Sequence, residues 1–90
     1  MFEYRKFSNH PAAAATIAED RDSGAVRLYS YNTLVSEIRP DPENGNLQII
    51  VNGLYSRTTI KHLGWFMREF GCGHNYYFAK AAIGKGYIDL

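Results

Sequence analysis

Disulfides, membrane spans and a dominant charge are all missing from this chain. The sole cysteine, Cys72, rules out an internal disulfide framework and fits a reducing compartment. No apolar run approaches the ~20 residues needed to cross a bilayer, and no secretory signal is visible. Only three prolines interrupt the chain, and no internal repeat appears; the four alanines Ala12 to Ala15 are the longest biased run. Net charge is +1, far from the basic footprint of a dedicated duplex-DNA binder.

What is present is globular. Apolar residues make up 46% and aromatics 14% of 90 residues, enough for one core and one domain spanning 1–90. A chain this short buries roughly 60–65% of its unfolded surface, which leaves little room for a deep substrate cavity. The near-neutral total hides an asymmetry. Residues 1–45 carry five basic groups against seven acids, and residues 46–90 carry Arg57, Lys61, Arg68, Lys80 and Lys85 against only Glu69 and Asp89. The second half can therefore favour an anionic partner locally.

Periodicity and turn chemistry predict the elements. Phe2 to Phe7 alternates like a short edge strand. Pro11 and the alanines behind it predict a short helix over roughly residues 11–19. The rival is a strand at Ala14–Ala18 that turns through Asp20-Arg21-Asp22-Ser23-Gly24. Ala25 to Tyr31 and Thr33 to Ile38 both read as extended. With only Asn32 between them, they are expected to form one long strand bent near that residue. Two prolines and Asn44-Gly45 then make a turn into Leu47 to Val51, and Asn52-Gly53 redirects the chain. Ser56 is an N-cap, with Tyr55 and Ile60 spaced as a hydrophobic staple. Ile60, Leu63, Phe66, Met67 and Phe70 form the apolar stripe of a helix over 57–70, which stops at Gly71. Residues 75–83 fit either a strand or a helix stopped by Gly84, and Gly86 to Leu90 reads as a last strand. The fold class is α+β: a small antiparallel sheet with the 57–70 helix packed on one face.

Little catalytic or metal chemistry stands out. The acidic turns at Asp20–Gly24 and Asp41–Gly45 place glycine one position too early for a calcium loop and lack its closing glutamate. Cys72 and His74, even with His10 or His62, do not make the spaced pairs of a structural zinc site. Cys72 follows a helix C-terminus, where the dipole opposes thiolate formation. Gly84-Lys85-Gly86 lacks the upstream glycine and following hydroxyl of a phosphate-binding loop. No nucleophile elbow is present. The expectation is a non-enzyme with no metal and no cofactor.

Two features carry binding chemistry. At the helix start, Ser56, Arg57, Thr58, Thr59 and Lys61 combine free amides, hydroxyls and cations, the makings of an anion site as well as of ordinary capping. Further along, Trp65 points about 140° from Ile60 at 3.6 residues per turn, with Lys61 and Arg68 at helical spacing. Trp65, Arg68, Lys61 and Arg57 together have the composition of a protein-interface hot spot, unless the N-terminal segment or the tail covers the indole. The tyrosines suit either a protein surface or stacking on bases.

Ser30-Tyr31-Asn32-Thr33-Leu34-Val35, the strand from Leu47, and Tyr55-Ser56-x-Thr58-Thr59-x-Lys61-His62-Leu63 form a spaced pattern over roughly residues 28–71. It resembles a group of small, mostly phage-encoded proteins of unknown function. The resemblance implies a phage accessory protein in the cytoplasm of a bacterial host. It brings no catalytic residues. By analogy with other small phage proteins, the expected role is to occupy a surface of a host or defence protein complex, as anti-CRISPR inhibitors do. The alternative is a nucleic-acid-binding accessory protein that holds phosphates at the helix start. A nucleotide-sized ligand held there, by one chain or between two copies of it, is a third option. No membrane partner is expected, and a homodimer is left open.

Overall fold

Turn residues cut the chain into short extended runs, and each run folds back on the one before it. A computed structural model describes residues 1–70 and 76–90, with side chains for 1–70 and 80–90. The strands are β1 (Phe2–Arg5), β2 (Ala15–Asp20), β3 (Val26–Ser30), β4 (Thr33–Pro40) and β5 (Leu47–Val51). Two helices follow, α1 (Arg57–Glu69) and α2 (Tyr76–Lys85), and then the short strand β6 (Ile88–Asp89). The strands form one antiparallel sheet whose spatial order is the chain order, β1 to β6. The architecture is α+β, as expected.

One face of the sheet is covered. Ile17, Leu28, Val35, Ile38, Ile49 and Val51 point into a core closed by Leu63, Phe66 and Met67 of α1 and Ala82 of α2. The stripe on α1 is rotated slightly from the expected one. Thr59 and His62 are buried, whereas Ile60 and Phe70 are only half-buried. Ser56 caps α1 by accepting a hydrogen bond from the Thr59 amide at 3.2 Å, and Phe70 is the C-cap. The expected stop at Gly71, and the Cys72–His74 pair, lie outside the described residues. In the tail the helix alternative holds, but α2 continues through Gly84 to a stop at Gly86, whose φ is +93°.

Two expectations for the first half are overturned. Residues 11–19 are not a helix; Ala15–Asp20 form strand β2, the rival reading, paired with β1 on one side and β3 on the other. A helix of nine residues is marginal in water even when rich in alanine, so pairing along both edges wins over local propensity. Nor is 25–38 one bent strand. Tyr31 and Asn32 alone turn the chain between β3 and β4, with Ser30 opposite Thr33. Tyr31 takes φ +56°, a left-handed conformation usually left to glycine or asparagine, and this lets two residues close the hairpin. The register slips once, between Leu28 and Tyr29, so that Val35 is the extra residue of β4. Val35 and Ser36 are consequently both buried in succession.

Candidate functional site

The surface of α1 opposite the core holds the predicted contact residues. Arg57, Lys61, Trp65 and Arg68 fall within about 80° of one another at 100° per residue, on a stripe about 16 Å long. Arg57, Lys61 and Arg68 are exposed. Among the described residues, none of the three takes part in an ion pair, whereas Arg5, Arg21, Arg27 and Arg39 all do. The only acid of α1, Glu69, is occupied by Arg5 at 2.7 Å. The stripe therefore presents positive charge that no acid among the described residues neutralises.

Trp65 is half-buried, and of the two readings open to the sequence, cover by the N-terminal segment is the one that holds. The segment after β1 folds over α1 and half-buries it. His10 stacks on the indole with ring centroids 3.6 Å apart and planes 8° from parallel. Buried Phe7 meets it edge-on at 5.7 Å. Lys61 Nζ lies 5.2 Å from the ring centroid, a cation–π distance. The Ser8 amide donates to Glu69 Oε1 at 3.0 Å and ties the segment to the end of α1. Burial works to raise the Glu69 pKa, but this amide and the Arg5 guanidinium outweigh it and hold the carboxyl below its ordinary value. A small hollow of about 170 Å³ remains where Ser8, Asn9 and His10 meet Trp65 and Arg68.

The helix start is largely consumed by its own cap. Ser56 Oγ accepts from the Thr59 amide and shares a hydrogen bond with Thr59 Oγ1 at 3.2 Å. Thr59 is buried and Thr58 half-buried, so of the five anion-site candidates Ser56, Arg57 and Lys61 are the exposed ones.

Sequence reasoning missed the contact that joins the two halves of the spaced pattern. Ser30, at the end of β3, and His62, in the middle of α1, share a hydrogen bond of 2.8 Å between Oγ and Nδ1. Both residues are 2% exposed. Burial, with Lys61 beside it, lowers the His62 pKa and keeps the ring neutral near pH 7. A serine bonded to histidine invites comparison with a nucleophile and its base. Here the hydroxyl is sealed beneath α1, and among the described residues no carboxylate hydrogen-bonds the imidazole. The pair pins α1 to the β3–β4 hairpin. Nothing local signals this, because the partners are 32 residues apart.

A model of a family of unknown function, DUF8033, matches residues 4–84. The chain belongs to that family. The DUF8033 match extends past the 28–71 pattern at both ends, taking in the second half of β1, all of β2 and nearly all of α2. No curated protein and no solved structure matches the chain. Among the described residues, no group of three metal-ligating side chains comes together, and no helix is long and apolar enough to cross a membrane.

Proposed function

We propose that this DUF8033 protein is a non-enzymatic binding protein whose α1 stripe docks on an acidic protein surface. The supporting observation is the set of exposed cations Arg57, Lys61 and Arg68, none of them in an ion pair among the described residues, around a half-buried tryptophan. Trp and Arg dominate interface hot spots, and complementary charge speeds encounter. The hollow beside His10 gives the stripe a recess into which a partner side chain fits. The resemblance read from the sequence extends this reading to a phage accessory protein that blocks a host or defence complex in the bacterial cytoplasm.

Affinity capture with the wild-type chain and with an Arg57→Glu/Lys61→Glu/Arg68→Glu variant tests the proposal. All three residues are exposed, so the fold is expected to survive, and circular dichroism checks that it has. The partner should be acidic, lost from the variant and weakened by salt. A partner held equally by both proteins overturns the assignment. Trp65→Ala is a poorer probe, since it also removes the seat of His10 and Phe7.

A further inference from the structure

The two edges of the sheet are finished differently. The far edge is blunt: β6 has two residues, one of them Asp89, and short charged edges resist further pairing. The near edge is β1, which has neither proline nor bulge and pairs with β2 on one side only. The direction of its free groups follows from the ladder. Tyr31 N–H donates to the Ala14 carbonyl at 2.7 Å and Asp20 N–H to the Ala25 carbonyl at 2.9 Å, so the even-numbered residues of β2 bond to β3. Hydrogen-bonding direction alternates along an antiparallel strand, so Ile17 and Glu19 bond to Arg5 and Glu3 of β1. The N–H and C=O groups of Phe2 and Tyr4 are left pointing away from the sheet.

Charge selects what this edge accepts. A second β1 laid antiparallel along it has three registers that oppose outward groups and overlap by three residues or more, centred on Glu3, Tyr4 or Arg5. Centred on Glu3, the two Glu3 carboxylates are opposed; centred on Arg5, the two guanidiniums are. Centred on Tyr4, each Glu3 faces the other copy's Arg5, and all of Phe2 to Lys6 is paired. Opposite charges directly across a ladder stabilise it and like charges destabilise it. Arg5 is held in place by Glu19 at 3.0 Å and Glu69 at 2.7 Å, and Glu3 brings Arg21 with it at 3.7 Å, so the joined edge alternates acids with cations. On the open face the same register sets Tyr4 against Tyr4. This ring is 67% exposed in the single chain, and a cross-strand aromatic pair takes it out of water.

We infer that β1 pairs antiparallel with β1 of a second copy of this chain, centred on Tyr4, and joins two sheets into one across a two-fold axis. The occupant is the same chain because the match is self-complementary, as a two-fold contact requires. The two Tyr4 backbones exchange a pair of hydrogen bonds. Phe2 of each copy does the same with Lys6 of the other, whose carbonyl accepts from Arg5 Nη1 at 3.1 Å and keeps a second lone pair. Five residues a side fall short of a permanent interface, so the dimer is reversible and forms as concentration rises. It uses none of the α1 cations and stands or falls independently of the docking stripe.

Sedimentation velocity of the full chain from about 10 µM to about 1 mM, the range open to so small a contact, should show the mean mass rise from one chain toward two. In a mixture of isotope-labelled and unlabelled chains, filtered NOEs should join the α-protons of Glu3 and Arg5 between copies, because these residues form the close, non-hydrogen-bonded pairs of the new ladder. Tyr4→Pro removes the central outward N–H and spares every bond between β1 and β2, as proline does on an edge strand. It should raise the dissociation constant roughly tenfold or more. Glu3→Lys, at an exposed position, sets like charges across the ladder and should weaken the dimer several-fold. Circular dichroism checks that both variants fold, and Glu3→Lys keeps the test open if the proline variant does not. A chain that stays monomeric at the highest concentration overturns the inference. So does a dimer that the folded variants leave intact, or one whose filtered NOEs lie on α1 or β6.

Discussion

The two faces of the sheet are built to different rules. The covered face is aliphatic at its centre, where Ile17, Leu28, Ile38, Ile49 and Val51 meet α1 and α2, and its charges are kept to the edge, where Arg5 pairs with Glu19 and Glu69. The open face alternates rings with charges, including Tyr4, Tyr29, the Arg27–Glu37 ion pair and the Phe2 ring beneath Arg27. The first face can change little without loss of the fold, because packing there fixes volume as well as polarity. The second is held in place by the first and is free to carry recognition chemistry. Stability and binding should therefore separate cleanly when each face is altered in turn.

The sharpest contrast comes from Phe66→Ala, which empties the centre of the covered face. It should cost about 3–5 kcal/mol in a denaturant titration, enough to leave a marginal domain of this size largely unfolded. Next is Ser30→Ala, which leaves His62 buried without its hydroxyl partner and should cost about 1–3 kcal/mol by the same measurement. Acid should also act on the covered side. His62 has a folded pKa below its unfolded value of about 6.5, so the unfolded chain takes up its proton first and stability falls as pH drops below that value. Glu69, depressed below an ordinary value of 4.5, stabilises above that pH and loses its contribution as pH falls through its lower folded value. Urea midpoints followed from pH 7 to well below pH 4 should decline in these two stages, and His62→Gln should remove the upper one. Tyr4→Ala, on the open face, should move stability by no more than about 0.5 kcal/mol. Smallest of all, Tyr31→Asn should change stability by less than about 1 kcal/mol, because relief of backbone strain is set against loss of the Tyr31 ring's contact with His62, 6.2 Å between centroids. A large loss from either tyrosine variant breaks the distinction between the two faces.

What could be read from the sequence divides along similar lines. α1 was legible because its stripe and serine cap are local signals, and Leu47–Val51 because Asn44-Gly45 precedes it. The Tyr31–Asn32 hairpin was not, since a tyrosine in the left-handed region defies turn chemistry. The alanines misled because their helix preference amounts to a few tenths of a kcal/mol per residue, which pairing on two edges exceeds. The cations of the α1 stripe were legible as a face of a helix. Cover of Trp65 by the N-terminal segment was legible only as an alternative, and the residues that make it were not, because His10 and Phe7 reach the indole from more than fifty residues away. The free side of β1 likewise is defined only once β1, β2 and β3 are aligned.

A sheet laid down in the order of the chain also has a history. Each of the first four strand pairings joins neighbours in sequence, so hairpins can zip one onto the next with little loop-closure entropy, and fast folding follows. The exception is β6, whose partner Gln48 lies some forty residues upstream of Asp89. That last pairing waits for both helices to dock. In a kinetic experiment, the carboxyl-terminal edge should be the final piece to gain amide protection.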